Sequence, residues 1–280
     1  MGRHDDTDEG VSGELAQDTS IGSQDLITWR SRLGRRLAQF AHWLSGRLGP
    51  HGALILILAF GALLVIALSV AAGQVYDNVT DANGVAGLDR PLLDLAMTIR
   101  TPFINTVVIG YTEVAGPIGM PVIAVVTLLV LAIRRRSWTP TILIIAAGGG
   151  SLLMTIAGKD VIGRARPALT DAVPPFEYSP SFPSGHTLNA VAVVGVIAYL
   201  LILRQKTSRA RVITISGAVF FAITIGLTRV YLGHHWFTDV LAGWLLGAAW
   251  LALVITAHRL YLTVRTRRHE HRRSHPPAAV

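Results

Sequence analysis

Residues 52–73, GALILILAFGALLVIALSVAAG, contain no charged side chain. A bilayer's hydrocarbon core of ~30 Å is crossed by about 20 consecutive apolar residues in a helix. A segment inside that core must satisfy its own backbone hydrogen bonds, which leaves helices or closed barrels as the spanning structures. Comparable apolar runs cover 117–133, 138–158, 186–203, 211–228 and 239–257. They predict six crossings, of which the second is short. The composition agrees: 51% of the 280 residues are hydrophobic, 15% are charged, and the mean hydropathy is +0.48, far from the balance of soluble domains. The expected fold class is therefore all-α, a polytopic membrane protein with six transmembrane helices. Between the first two runs, 74–116 holds only FINTVVIGY (103–111). At about half the length a crossing needs, it is expected to be re-entrant or to lie on the surface.

Charge placement supports this count, because Lys and Arg collect in cytoplasmic loops. With the N-terminus inside, the outer face receives only Arg90, Arg100, Lys159, Arg164, Arg166 and Arg229 of the 25 Lys and Arg. A seventh crossing at 103–111 would scramble that partition. Both termini are thus expected to be cytoplasmic. The net charge of +8 reads as a topology signal and as attraction to anionic headgroups, with no nucleic acid as partner. The absence of cysteine removes disulfides and thiolate chemistry, leaving His, Ser, carboxylates and basic groups to do any chemistry.

Residues 1–24 are polar and acidic without an apolar stretch, so a disordered cytoplasmic tail is expected there. Over 25–48, Leu26, Trp29, Leu33, Leu37, Phe40 and Leu44 recur at three- or four-residue spacing among arginines. That suits a basic amphipathic helix on the inner leaflet, with a helix packed on the cytoplasmic loops as the alternative. Residues 50–258 form the expected membrane domain, and 259–280 a basic cytoplasmic tail.

Three polar patches stand at the outer ends of predicted spans. In KDVIGRARP (159–167), Lys159 and Arg166 share a side if the stretch stays helical to Pro167. They suit an anion, or else snorkel to headgroups. In SFPSGHT (181–187), Ser184 and Gly185 open a helix whose first amides and partial positive charge favour phosphate. The Ser184 hydroxyl either donates to that anion or caps the helix, Gly185 admits close backbone approach, and His186 is placed to donate a proton. In TRVYLGHHWFTDV (228–240), His235 and Asp239 are four apart, so on a helix they share a face. A carboxylate on one ring nitrogen frees the other as nucleophile, although such a pair also serves as a plain structural hydrogen bond. His234 points elsewhere on a helix and is expected to be an interface histidine. Arg229 adds a third cation.

Taken together, these residues resemble the type 2 phosphatidic acid phosphatase family, whose active site is also similar to that of the vanadium haloperoxidases. The family pattern is Lys, six residues, Arg-Pro; then Pro-Ser-Gly-His; then Ser-Arg, five residues, His, three residues, Asp. Lys159, Arg166 and Pro167 match the first block, Pro183, Ser184, Gly185 and His186 the second, and Arg229, His235 and Asp239 the third. Thr228 stands where the family has serine and retains a hydroxyl.

The resemblance implies a helical bundle in which His235 attacks phosphorus, Asp239 orients it and His186 protonates the leaving oxygen. Lys159, Arg166, Ser184, Gly185 and Arg229 would hold the phosphate, with no metal or other cofactor. It further implies a bacterial plasma-membrane lipid phosphatase with its site on the extracytoplasmic face. The candidate substrates are undecaprenyl diphosphate, phosphatidylglycerophosphate and phosphatidate, that is, a membrane phospholipid or polyprenyl phosphate. A phosphotransferase using the same histidine, and a phospholipid carrier without turnover, are the alternatives.

Overall fold

The computed structural model describes residues 20–21, 24–26, 29, 31–79, 85–135 and 137–274. Most of the tail expected over 1–24 lies outside these residues. Among them, all regular structure is helical except one two-residue antiparallel pairing, β1 (Ser20–Ile21) with β2 (Gln24–Asp25). The α-helices are α1 (Arg32–Val79), α2 (Asp89–Thr98), α3 (Pro102–Glu113), α4 (Gly119–Arg135), α5 (Thr139–Ile162), α6 (Gly185–Ile202), α7 (Ser208–Tyr231) and α8 (Phe237–Ser274).

Four of these are long and apolar enough to cross a membrane: Thr139–Ile162, Gly185–Ile202, Ser208–Tyr231 and Phe237–Arg265. They coincide with four of the six expected spans. The expected span at 117–133 is α4, whose 17 residues rise only about 26 Å. The span expected at 52–73 and the interfacial helix expected over 25–48 form one continuous helix, α1, with no break at Pro50. Its start lies against the far end of α8. Trp29 Nε1 donates to Thr263 Oγ1 at 3.2 Å, Arg259 stacks on the Trp29 ring, and Ala38 packs on Leu260 and Val264. The helical part of α8 runs through Arg259 to Ser274, so the segment expected as a tail begins as helix.

α6 is apolar around its circumference and accordingly sits in the middle. Leu188, Val193, Val196 and Leu200 are fully buried among residues of α5, α7 and α8. The outer faces are apolar too: Ile145, Leu152, Val212, Ile213, Phe220 and Leu245 are all exposed. Such a surface is stable against lipid tails and not against water.

The segment whose form the apolar pattern left open contains α2 and α3. Thr101 caps α3, accepting from Ile104 N at 3.2 Å, with Pro102 in the first turn where its missing N–H costs nothing. α3 lies along the end of α7 that carries Arg229. Asn105 accepts from Tyr231 Oη at 2.8 Å, and Tyr111 Oη lies 2.6 Å from Thr224 Oγ1.

Close helix approach depends on small residues. The backbone of α5 at Gly150 is covered by the indole of Trp250, whose Nε1 donates to Ala146 O at 3.0 Å, so a Cβ at 150 would fall inside the ring. Overpacking of this kind costs about 1–3 kcal/mol. Gly150→Val is therefore expected to lower the thermal midpoint in detergent by several degrees. The substitution of Gly149, whose Cβ direction is open, is not.

Candidate active site

The first patch departs from its helical expectation. α5 ends at Ile162 on Gly163 in the left-handed conformation (φ 60°), whose N–H closes on Lys159 O at 3.0 Å. Glycine takes this conformation without a Cβ clash, so the chain turns four residues before Pro167. Lys159 and Arg166 therefore share no helix face. They meet through the loop that follows: Lys159 Nζ donates to Ser179 Oγ at 2.8 Å and to Pro180 O at 2.5 Å, while Arg166 Nε donates to Ser179 O at 2.6 Å.

The second patch opens α6 as expected. Gly158 and Gly185 let it dock on α5, because a Cβ at 158 would lie 2.5 Å from Pro183 Cδ and one at 185 would lie 3.0 Å from Thr155 Cγ2. The amides of Gly185, His186 and Thr187 precede the first intrahelical donor, Leu188 N, which bonds to Ser184 O at 3.0 Å. Ser184 is fully buried and makes no side-chain cap. Its hydroxyl accepts from Thr187 Oγ1 at 2.9 Å, leaving its own proton to donate. The buried Nε2 of His186 has no hydrogen-bond partner among the described residues.

In the third patch α8 begins at Phe237, so His235 precedes the helix and Asp239 lies in its first turn. The pair straddles the helix start, contrary to the expectation of a shared face. His235 Nδ1 lies 3.5 Å from Asp239 Oδ2 and 3.4 Å from Ser181 Oγ. Its Nε2 lies 3.2 Å from Arg166 Nη1. A guanidinium only donates, so Nε2 accepts there and the ring proton belongs on Nδ1, facing Asp239. The tautomer expected from the motif follows from these contacts. His234 donates from Nε2 to Val173 O at 2.7 Å, with Nδ1 3.7 Å from Glu177 Oε1.

Asp239 is held by more than His235. It accepts from Ser181 Oγ at 2.5 Å, from Trp236 N at 2.9 Å in the reciprocal half of a capping box, and from Arg164 Nη1 at 2.6 Å. Arg164 Nη2 also pairs with Asp89 Oδ2 at 2.7 Å, and Asp89 Oδ1 accepts from Thr238 N at 2.8 Å. Arg229 is 1% exposed. Its Nη1 donates to Thr112 Oγ1 at 3.3 Å and its Nη2 pairs with Glu177. The Thr228 hydroxyl donates to Ile225 O at 2.6 Å and stands 3.0 Å from Thr112 Oγ1, so the residue that replaces serine still supports the wall beside Arg229.

The sequence reasoning missed Asp89, Thr112, Arg164, Glu177 and Ser181. Only Arg164 and Ser181 stand inside quoted motif stretches, and no periodicity ties the others to them.

Lys159, Glu177, Gly185, His186, His234 and His235 line a single cavity of about 860 Å³. From this polar end the cavity continues as an apolar groove between α4 and α5, past Met120, Ala124, Leu128, Ile144, Gly148 and Leu152.

Burial, with Arg166 beside it, pushes His235 down to about 4 against the opposing pull of Asp239. Burial and Arg229 push His234 down to about 4. Burial alone would raise Glu177, but Arg229, His235 and Arg166 together outweigh it and bring its carboxyl down to about 2. Every one of these folded values lies below the ordinary value, so the unfolded chain takes up protons first as the pH falls. The stability they contribute is complete above about 6.5 and is lost progressively toward pH 4, with Glu177 adding to the loss below 4.5. Thermal midpoints in detergent should therefore fall as the pH is taken from 6.5 to 4, and a flat profile would contradict this. Removing Arg164 strands Asp89 and Asp239 as buried charges, which costs about 3–5 kcal/mol. Arg164→Met is accordingly expected to depress the midpoint strongly. Arg90→Met, which breaks exposed pairs with Asp94 and Asp171, is expected to change it little.

Against known proteins, the PAP2 superfamily profile matches residues 139–261. The chain is 35% identical to phosphatidylglycerophosphatase B of Bacillus subtilis (strain 168) over 176 residues, covering 61% of this chain and 84% of that protein. It is 33% identical to lipid A 1-phosphatase of Rhizobium johnstonii over 42% of this chain and 47% of that protein. It is 36% identical to undecaprenyl-diphosphatase of Sulfolobus acidocaldarius over 29% of this chain and 33% of that protein. The crystal structure of a transmembrane PAP2-type phosphatidylglycerolphosphate phosphatase from Bacillus subtilis superposes with a TM-score of 0.59 at 31% identity, covering 69% of this chain and 92% of that one. The family match over 139–261, which contains Lys159, His186 and His235, together with the extent of the likeness to the Bacillus subtilis enzyme, places the chain in the PAP2 superfamily as a membrane phosphatase.

Proposed function

We propose that this phosphatase acts on a membrane lipid carrying a terminal phosphate, as a monoester or diphosphate, through a phosphohistidine on His235 and without a metal ion. Undecaprenyl diphosphate, phosphatidylglycerophosphate and phosphatidate are the substrates that fit, the first two in line with the names of relatives. The observation that carries the reading is the contact of Arg166 Nη1 with His235 Nε2 at 3.2 Å, at the polar end of a cavity that runs on as an apolar groove. A phosphoryl group entering there meets a guanidinium, an imidazole lone pair and the first amides of α6 together. The groove walls at Val125, Ile145 and Leu152 are exposed, so an acyl or prenyl chain can lie between α4 and α5 without leaving the bilayer.

In the first displacement His235 Nε2 bonds to phosphorus as the bond from phosphorus to the lipid oxygen breaks. His186 protonates the departing oxygen. The Nδ1 proton of His235 stays on the ring, facing Asp239 and Ser181, and Asp239 stabilises the charge that develops. In the second displacement water attacks phosphorus, His186 takes back a proton, and inorganic phosphate leaves with His235 restored. Lys159, Arg166, Arg229, the Ser184 hydroxyl and the amide of Gly185 stabilise the equatorial oxygens in both steps.

With α1 and α4 counted as spans, the chain crosses a bacterial plasma membrane six times. Both termini are then cytoplasmic and the site lies at the outer leaflet. The basic residues at the far ends of α4 and α8 support this orientation.

Purified protein should release phosphate from these lipids in excess chelator, and His235→Ala should abolish release. Rapid quenching during turnover of a ³²P-labelled lipid should trap an acid-labile, base-stable label on the protein that is missing from His235→Ala. Full activity in that variant would reject the mechanism. Label passing to a second lipid instead of water would mark the enzyme as a phosphotransferase.

A further inference from the structure

Glu177 lies outside every motif that matched the family, yet its carboxylate pairs with two of the three cations of the site. Its Oε2 lies 2.8 Å from Arg166 Nη2, and its Oε1 pairs with Arg229 Nη2. Arg166 is the same guanidinium that touches His235 Nε2. The carboxylate thus bridges two of the cations assigned above to the phosphoryl group and lines the same cavity as the nucleophile. A carboxylate presents two anionic oxygens to a pair of guanidiniums much as a phosphoryl group presents two of its three.

The chain around Glu177 is tied down on both sides and open between. On one side Val173 N donates to Leu232 O at 2.8 Å and Val173 O accepts from His234. On the other, Pro180 O accepts from Lys159 and Ser181 N donates to Arg164 O at 2.8 Å. Between these ties Phe176 and Tyr178 are exposed, and the Glu177 side chain is itself 30% exposed. A rotation of that side chain toward solvent frees both guanidiniums without disturbing either tie.

We propose that Glu177 is an internal ligand of the phosphate cradle, holding Arg166 and Arg229 in the ligand-free protein until the substrate's phosphoryl group takes its place. This rests on the phosphatase reading above. An intramolecular competitor weakens every ligand of the same site by one common factor, the inverse of the fraction of protein in which the site is open. Substrate affinity is lowered, and the affinity for the product, inorganic phosphate, falls by that same factor. Product that would otherwise remain on three cations is released as Glu177 returns.

The test uses the full chain in detergent, with dioleoyl phosphatidate as substrate and inorganic phosphate as inhibitor. Loss of a bridging charge-assisted pair is expected to alter binding by about tenfold. In Glu177→Gln, KM and the inhibition constant for phosphate should both fall, by about tenfold and in parallel. Glu177→Asp keeps the charge but is one methylene too short to span both guanidiniums, so it should lie between wild type and Glu177→Gln. Damage to the fold does not tighten binding, so a gain of affinity cannot arise from a merely structural role. Unchanged or weaker phosphate binding in both variants would overturn the proposal. Calorimetric titration of inorganic phosphate into wild type and variants reads the cradle without turnover. If wild type hydrolyses no lipid phosphate, the phosphatase reading fails. If it does so and neither variant tightens phosphate, only the role of Glu177 fails.

Discussion

The arrangement around His235 depends on one buried carboxylate. Asp239 is fully buried, and a charge there is tolerable only if its lone pairs are satisfied. Each group that satisfies it comes from a different part of the chain: Ser181 from the loop before α6, Arg164 from the turn after α5, Trp236 and His235 from the approach to α8. Satisfying Asp239 therefore brings the ends of three helices together. Arg164 carries the constraint one step further, because its second nitrogen holds Asp89 and so fixes the start of α2 against the start of α8.

This explains why the histidine can sit outside regular helix and still be precisely oriented. A residue before a helix start lacks the backbone restraint of the helix itself. His235 is instead located by its own N–H, which donates to Arg229 O at 3.2 Å, and by side-chain contacts to its ring on both sides. The bend of Gly233 at φ 71°, pressed against the backbone of Asp171 and Ala172, supplies the turn that delivers it. Only glycine tolerates both the dihedral and the close approach.

Much of this was legible in the sequence, for definable reasons. The helices α5 to α8 announce themselves by length and hydropathy, since a bilayer imposes one simple demand on each. The convergence of Lys159, Arg166, His186, Arg229 and His235 was legible only as a set of motifs at fixed spacing, because the chain separations between them carry no periodicity. The helix stop at Gly163 was masked by Pro167: proline advertises a break, but a left-handed glycine ends a helix sooner. Asp89 and Thr112 lie in short amphipathic helices that are neither spans nor motifs, and only the packing of α2 and α3 on α7 and α8 reveals that they touch the site. Glu177 was least legible, since an acidic residue in a polar loop is ordinarily solvated. Its partners are 11 residues before it (Arg166) and 52 residues after it (Arg229).

The charges are distributed with a direction. Behind the imidazole, on the Nδ1 side, Asp89 and Asp239 share the single cation Arg164, leaving a net negative charge. In front, on the Nε2 side, Arg166 and Arg229 pair with Glu177, and Lys159 and Glu113 line the same cavity, so three cations against two carboxylates leave a net positive charge. A field of that sense holds the ring proton at the back and the lone pair at the front. In the mechanism proposed above, the same field would also stabilise a cationic ring bonded to phosphorus at Nε2, with Asp239 as its countercharge. The same polarity disfavours a proton on Nε2 beside three cations. Burial and charge thus act together to keep His235 neutral, with its Nε2 lone pair toward the cations.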